Sequence, residues 1–405
     1  MSRPDQLSSG SLGTGETVVC SRRHSFEELG TWRRWRALLV GLGCLAACSP
    51  GVSAKVLLVG PERSLRAPSD AAAVAEDGDV VRIDPGEYVD CAIWRASRLV
   101  LQAPDGAAHV RDRACAGKAI WAIGGANVTV DNITFSGASV PDQNGAGIRA
   151  EGRDLTVRDS RFFDNENGIL AAPVEGSTIL IEGSAFERNG KCAANCAHGV
   201  YVNGIDRLKI VDSVFREQRQ GHHIKSAALA LEVTGSTIED GPDGTASYLI
   251  DVVSGGEVVI ADNVMHKGPQ SENRSAAIHI AGEGTTQGSA YRISNNRFRT
   301  DNTQEVAFVR NRSVVPAALE GNRLEGAVVP LVGAGTVDQK RGTEAVARNR
   351  PEEGGLATGG EEPAAGPAAF EDLETKLRLL KRLFEQGLIT EEEYTAKKAQ
   401  LLGSL

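Results

Sequence analysis

The stretch from Gly221 to Asp251 holds the densest run of side chains able to move a proton. His222, His223, Lys225 and Ser226 follow one another in GHHIKS, and Tyr248 and Asp251 stand in SYLID. Imidazole, amine, phenol and carboxylate groups do general acid–base work when a fold brings them side by side. Five of the seven histidines (His198, His222, His223, His266 and His279) lie in this half of the chain. The segments are far apart in number, so the question is what structure could place them together.

The answer is a repeat. Between Asn127 and Gly326 one short pattern recurs: apolar-x-apolar, two residues, Ser or Asn, one residue, then a large apolar side chain. The copies are VTVDNITF, LTVRDSRF, ILIEGSAF, LKIVDSVF, LEVTGSTI, VVIADNVM, YRISNNRF and AALEGNRL, starting roughly 23 to 33 residues apart. That period signals a solenoid rather than one globular core. The alternation at the start of each copy is a strand with one apolar face. The polar position, read as Asn132, Ser160, Ser184, Ser213, Ser236, Asn263, Asn296 and Asn322, suits a hydrogen-bonded ladder at a bend. Beyond it Phe135, Phe162, Phe186, Phe215, Ile238, Met265, Phe298 and Leu324 predict an interior column of large side chains. No helical period of apolar residues occurs in the span, and the Leu spacing of a leucine-rich repeat is missing. A parallel β-helix is the fold these coils require.

A second strand series precedes the first: AIWAI, GIRAE, GILAA, GVYVN, HIKSA, YLIDV, AIHIA and VAFVR. If the second residue of each faces in, the interior column is Ile120, Ile148, Ile169, Val200, Ile224, Leu249, Ile278 and Ala307. The third then faces out: Trp121, Arg149, Leu170, Tyr201, Lys225, Ile250, His279 and Phe308. First positions add His223 and Tyr248 to the outer face, and fifth positions add Asn203 and Arg310; the same register points Ser226 and Asp251 inward. Rings (Trp121, Tyr201, Tyr248) alternate there with cations (Arg149, Lys225, Arg310) and imidazoles. Sugars stack on aromatic faces and uronate carboxylates pair with Arg or Lys, so the row fits a linear acidic polysaccharide. The residues singled out for binding are Trp121, Arg149, Tyr201, His279 and Arg310. The plainer reading is that a solenoid exposes ordinary polar residues on its outer face.

From Lys55 the chain opens with the strand VLLVG, the Ala-rich segment PSDAAAVA as a candidate helical cap, then GDVVRIDPGEYVD. This opening, with its Gly-Asp-x-Val-x-Ile and Pro-Gly-x-Tyr, resembles that of bacterial pectate-lyase-like proteins. The resemblance covers about residues 55–338 and implies an all-β fold, a right-handed parallel β-helix solenoid. Lys225-Ser226 on a strand resembles the Lys-Ser of chondroitinase B and of alginate lyases built on β-helices. The resemblance implies that Lys225 is the base that takes the proton α to a uronate carboxyl group, with His223 or Tyr248 as the acid. Such a lysine must be partly deprotonated. The Arg-His-Gly that follows in that family has no match here, and the Asp-Pro-His-Glu of uronate C5-epimerases is absent. Asp240, Asp243 and Asp251 are too loosely grouped to announce the calcium site of pectate lyases, so calcium is open but unsupported by a motif, and no other cofactor is expected.

The termini differ from the solenoid. Arg33, Arg34 and Arg36 precede an apolar run, Ala37 to Ala47, too short to span a bilayer and right for a signal peptide within residues 1–54. Leu45-Ala46-Ala47-Cys48 offers a lipid anchor at Cys48, and Val52-Ser53-Ala54 offers an ordinary cleavage site; either implies export. Of seven cysteines, Cys91, Cys115, Cys192 and Cys196 lie beyond the leader. Cys91 and Cys115 are about one coil apart and Cys192 and Cys196 could close a small loop, as disulfides do in exported proteins. Residues 339–369 are a Gly/Ala/Glu/Pro-rich linker. Residues 370–405 carry a helical hairpin: Leu373, Leu377, Leu380, Leu383 and Phe384 share a face, Gly387 ends the first helix, and Thr390 with Glu393 caps the second. LETKLRLLKRLFEQGLITEEEYTAKKAQLL is similar to the SHOCT module, a short C-terminal helical hairpin; so short a hairpin buries little core, and self-association or docking on a protein partner is therefore expected. A formal charge of −9 without a basic aromatic patch argues against nucleic acid. Two function classes follow: a polysaccharide lyase or epimerase acting on uronate polymers, or a non-catalytic glycan-binding or envelope structural protein assembling through its C-terminal hairpin.

Overall fold

The computed structural model describes residues 54–192, 196–280 and 290–338. The leader with Cys48, the linker and the C-terminal hairpin lie outside the described residues, apart from Ala54. Among the described residues no helix is long and apolar enough to cross a membrane.

The described residues wind through three parallel sheets. Sheet 1 has twelve strands, from Val56–Val59 to Gly335–Asp338; sheet 2 has ten, from Gly86–Tyr88 to Arg323–Glu325; sheet 3 has ten, from Ala92–Trp94 to Val328–Gly333. Each full coil contributes one strand to each sheet, and every strand pairs in parallel with the same strand of the next coil. Among the described residues one helix, α1 (Pro68–Val74), buries Pro68 and Ala71 and packs near the first strand of sheet 3. Its start is fixed by Pro68 at the first helical turn and by Asp70, whose carboxylate accepts the N–H groups of Arg66 and Ala67 at 2.8 and 3.1 Å.

Stacking makes equivalent residues of successive coils neighbours. Leu155 and Val157 pair with Ile179 and Ile181, then Leu208 and Ile210, all buried. In sheet 2, Phe135, Phe162, Phe186 and Phe215 stack face to face with ring centres 5.0, 4.7 and 4.7 Å apart, and Ile238, Met265 and Phe298 continue the column in register. Those separations follow the strand spacing of about 4.8 Å.

At the bend between sheets 1 and 2 the polar ladder runs through seven coils. Ser184 Oγ accepts the N–H of Ser160, Ser213 Oγ that of Ser184, and Ser236 Oγ that of Ser213 at 3.1–3.2 Å; Asn263, Asn296 and Asn322 continue with Oδ1 at 2.9–3.0 Å. Each coil satisfies an N–H of the coil beneath, which no strand can reach at a corner. Asn132 is not in this ladder. The register sets Ile133 over Ser160, whose Oγ accepts the Ile133 N–H at 3.2 Å. Asn132 occupies the preceding left-handed position (φ 55°), shared by Asp159, Asp212, Asp262 and Asn295, and bonds Ala103 O instead. Asn and Asp tolerate that conformation better than other side chains, which explains their recurrence.

Cys91 joins Cys115 across successive coils (Cα–Cα 5.5 Å), and Cys192 joins Cys196 (4.0 Å).

The ladder is a load that can be measured. Asn263→Leu removes the acceptor of Ser236 N–H and the donor to Val233 O (2.9 Å). Each orphaned group costs about 1–3 kcal/mol. Chemical denaturation of this variant is expected to show that loss, whereas Val264→Ala, on the exposed side of the neighbouring strand, changes stability by less than about 0.5 kcal/mol.

Candidate functional site

The outward face of sheet 3 is set by a local irregularity. In each rung two consecutive residues face in, so simple alternation fails. Ala277, Ile278 and Ile280 belong to the main core, while Ala276 packs with Tyr248 and Ala307 in a separate small cluster. Leu249, Ile250 and Val252 are likewise core residues, with Tyr248 outside that core and Asp251 paired with an outward column. That column is continuous: Ala122, Arg149, Leu170, Tyr201, Lys225, Asp251, His279 and Arg310 are paired neighbour to neighbour.

This pattern corrects several positions read from simple alternation. Trp121 is fully buried, pairs with Ile148 and packs edge-on against Trp94 and Phe135, so it cannot serve as a platform for a ligand. Ile250 and Phe308 also lie in the core, and Ala307 does not. His223 is fully buried inside the solenoid and cannot act as an acid on a surface ligand. Asp251 faces the outer column rather than the interior. Arg149, Tyr201, Lys225, His279 and Arg310 share one column, and Tyr248 lies beside it.

Alongside runs a second row of rings. His198 stacks on His222 (4.9 Å), His222 on Tyr248 (5.2 Å) and Tyr248 on His279 (4.8 Å). Tyr201 meets His198 edge-on at 5.2 Å and carries the Lys225 ammonium 5.3 Å from its ring centre. Asp251 is the hub. Its Oδ1 lies 2.8 Å from His279 Nδ1, and its Oδ2 lies 3.4 Å from His222 Nε2 and 4.0 Å from Lys225 Nζ.

The hydrogen bonds fix the tautomers. The Tyr248 N–H donates to His222 Nδ1 (3.1 Å), and the His222 N–H donates to His198 Nδ1 (3.0 Å). An accepting Nδ1 carries no proton, so neutral His198 and His222 hold theirs on Nε2, and His222 directs it at Asp251. His279 is the reverse: Nδ1 donates to Asp251, leaving the lone pair on Nε2. The electrostatics agree. Burial, together with Lys225, His279 and Lys267, depresses His222 to about 4 despite the pull of Asp251. Burial, with His222 and Lys225, lowers His198 well below its ordinary value. Burial would raise Asp251, but His222, the bond from His279 and Lys225 outweigh it and hold the carboxyl below its usual range. Asp251 is thus a carboxylate beside His222, His279 and Lys225, with His198 and His222 held below the ordinary imidazole range. Among the described residues no three His, Cys, Asp or Glu side chains are arranged to hold a metal ion.

Residues 109–265 match the family model described as right handed beta helix region, and residues 375–402 match that of the short C-terminal domain, SHOCT. The solenoid is a right-handed parallel β-helix. No curated protein matches the chain. Among solved structures it is similar to ORF18 of Geobacillus virus E2 (14% identity, 65% of this chain and 54% of that one, TM-score 0.45). It is also similar to the A-module of the mannuronan C-5 epimerase AlgE6 of Azotobacter vinelandii (14%, 67% and 94%, 0.38). A third is PfbA, a surface adhesin of Streptococcus pneumoniae (12%, 70% and 91%, 0.37). The β-helix chain spans about half the length of the viral protein (54%).

The depressed His222 makes folding sensitive to acid. Between about 4 and 6.5 the unfolded chain holds a proton at this residue that the folded one lacks, so stability falls as pH drops through that window. The loss saturates below about 4 and amounts to on the order of 3 kcal/mol. Urea unfolding from pH 7 to pH 4 should show this slope, and His222→Gln should make it shallower, with His198 keeping its own share.

Proposed function

We propose that the outward face of sheet 3 binds an acidic polysaccharide and breaks it by removing the proton α to a uronate carboxyl group. The carrying observation is the column from Arg149 to Arg310 with His279, Asp251 and Lys225 at its centre. Asp251 orients His279 as a carboxylate orients the histidine of a hydrolytic triad, leaving Nε2 as the base. The Lys225 amine sits 4.0 Å from Asp251 and 5.3 Å from the Tyr201 ring centre, in ion-pair and cation–π geometry on the face that a uronate would meet. It therefore serves better as the cation that neutralises the uronate carboxylate than as the base suggested by the Lys-Ser resemblance.

The reaction balances without a cofactor. His279 Nε2 takes the C5 proton, and the electron pair left behind spreads into the carboxylate that Lys225 faces. That pair then forms the C4–C5 double bond as the C4–O bond breaks, and Tyr248 supplies the proton to the departing glycosidic oxygen. Arg149 and Arg310 hold carboxylates of flanking sugars, and Tyr201 offers a ring edge or face for stacking. An exported location suits such a substrate, with the SHOCT module as the segment for assembly.

The test is absorbance of unsaturated uronate with alginate, pectate and glycosaminoglycans. His279→Gln is expected to lower kcat by about 10²–10⁴-fold with binding retained. Lys225→Ala is expected to weaken both binding and turnover. Binding on a glycan array without product from any polymer would replace the lyase with a non-catalytic glycan-binding protein. Exchange of the C5 hydrogen with solvent deuterium, without chain cleavage, would make it an epimerase.

A further inference from the structure

Behind the ring row lies a buried polar cluster that the reaction above does not use. Lys267 ends the sheet 2 strand Val264–Lys267 and is fully buried. Its ammonium donates to the main-chain carbonyls of Ser247 (2.5 Å) and Ala246 (3.5 Å), the two residues preceding Tyr248. The balancing charge is Asp240, also fully buried, whose carboxylate lies 2.9 Å from His223 Nε2 and accepts Ser271 Oγ–H (2.6 Å) and Gly268 N–H (3.1 Å). A buried ammonium costs several kcal/mol and a hydrophobic side chain of the same size is often no less stable. A cost of that size calls for a reason other than stability.

The geometry supplies one. Ser247 N–H is held by Gly221 O at 2.6 Å, and Lys267 holds its carbonyl. The peptide entering Tyr248 is thus clamped on both sides. The next N–H, that of Tyr248, is the one that donates to His222 Nδ1 and so fixes where His222 keeps its proton. We propose that Lys267 is a positioning residue: it clamps the Ala246–Ser247 carbonyls so that Tyr248 presents its N–H to His222 and its ring to His279. The inference rests on the acid–base role of that row. Asp240 anchors the far side of the same cluster, and His223, its partner, keeps the strand before Lys225 in place.

The electrostatics point the same way. Lys267 opposes protonation of His222, and burial depresses Lys267 itself to about 8, with Asp240 pulling upward. The groups around this pair are Asp240 and His223 on the inner side and His198, Lys225, Asp251 and His279 on the outer. His266, beside Lys267 on its strand, is engaged by Asp301 at 2.8 Å.

The experiment is a pH titration of the histidine ring nitrogens by NMR in the full chain, with Lys267→Met and Lys267→Arg. In Lys267→Met the His222 midpoint is expected to rise from about 4, and the tautomer with the proton on Nδ1 is expected to appear. Lys267→Arg, which keeps the charge, should hold the midpoint low. Turnover of a polymer cleaved by the wild type should fall by about 10²-fold in Lys267→Met with KM little changed. A folded Lys267→Met with unaltered His222 midpoint and tautomer would overturn the assignment. If Lys267→Met does not fold, the wild type decides: the His222 signals must step as Lys267 loses its proton near about 8, and a flat response overturns it. Because the ring signals need no substrate, failure of the lyase reading and failure of this one are separate results.

Discussion

Register is the constraint from which the rest of the molecule follows. Parallel strands about 4.8 Å apart place each side chain over its counterpart in the coil below. A residue type is therefore selected for whether it tolerates a like neighbour at that distance. Phenyl rings do, by stacking; Ser and Asn do, because each carries an acceptor for the N–H beneath it. A buried Asp or Lys does not, and none recurs in the interior columns. Lys267 meets Thr300 in the next coil rather than another cation, and Asp240 is surrounded by donors.

The same rule shapes the outer face. A column of histidines in register would be a column of mutually repelling charges if protonated. His198 and His222 stack at 4.9 Å, burial lowers both below the ordinary imidazole range, and the N–H to Nδ1 bonds occupy the lone pair that would take the proton. A carboxylate stands in the adjacent column. Asp251 stands between Lys225 and His279 in the column, so that the positive, negative and imidazole groups become neighbours through stacking alone.

Much of this was legible in the sequence. The eight copies of the pattern set the coils, and the Phe column is visible as a fixed position in each. The outer column from Arg149 to Arg310 follows from aligning the second series, except where alignment by alternation fails. It fails because each sheet 3 strand turns two consecutive residues inward as the chain enters the sheet. That kink carries Trp121 and His223 into the core and Asp251 out of it. Asn132 departs for a related reason: its copy has Ile133 at the ladder position, and the amide stands one residue earlier. The buried cluster around Lys267 gave no signal in sequence, because a charged residue at a strand end reads as exposed.

The kink also explains why rings and charged groups gather on this face rather than on the others. In sheets 1 and 2 the outward positions carry ion pairs between neighbouring coils, such as Arg158 with Glu182 and Arg161 with Glu187. Those pairs are exposed and worth little. In sheet 3 the extra inward residue tilts the preceding side chain towards the outer column, so two rows share one face and bury each other. His198, Tyr248 and His279 are each less than a tenth exposed although none belongs to the main core. Partial burial gives Asp251 and the imidazoles an effective dielectric far below that of water, where a carboxylate–imidazole contact can fix a tautomer. A strictly alternating sheet would have left the same residues in a single solvated row.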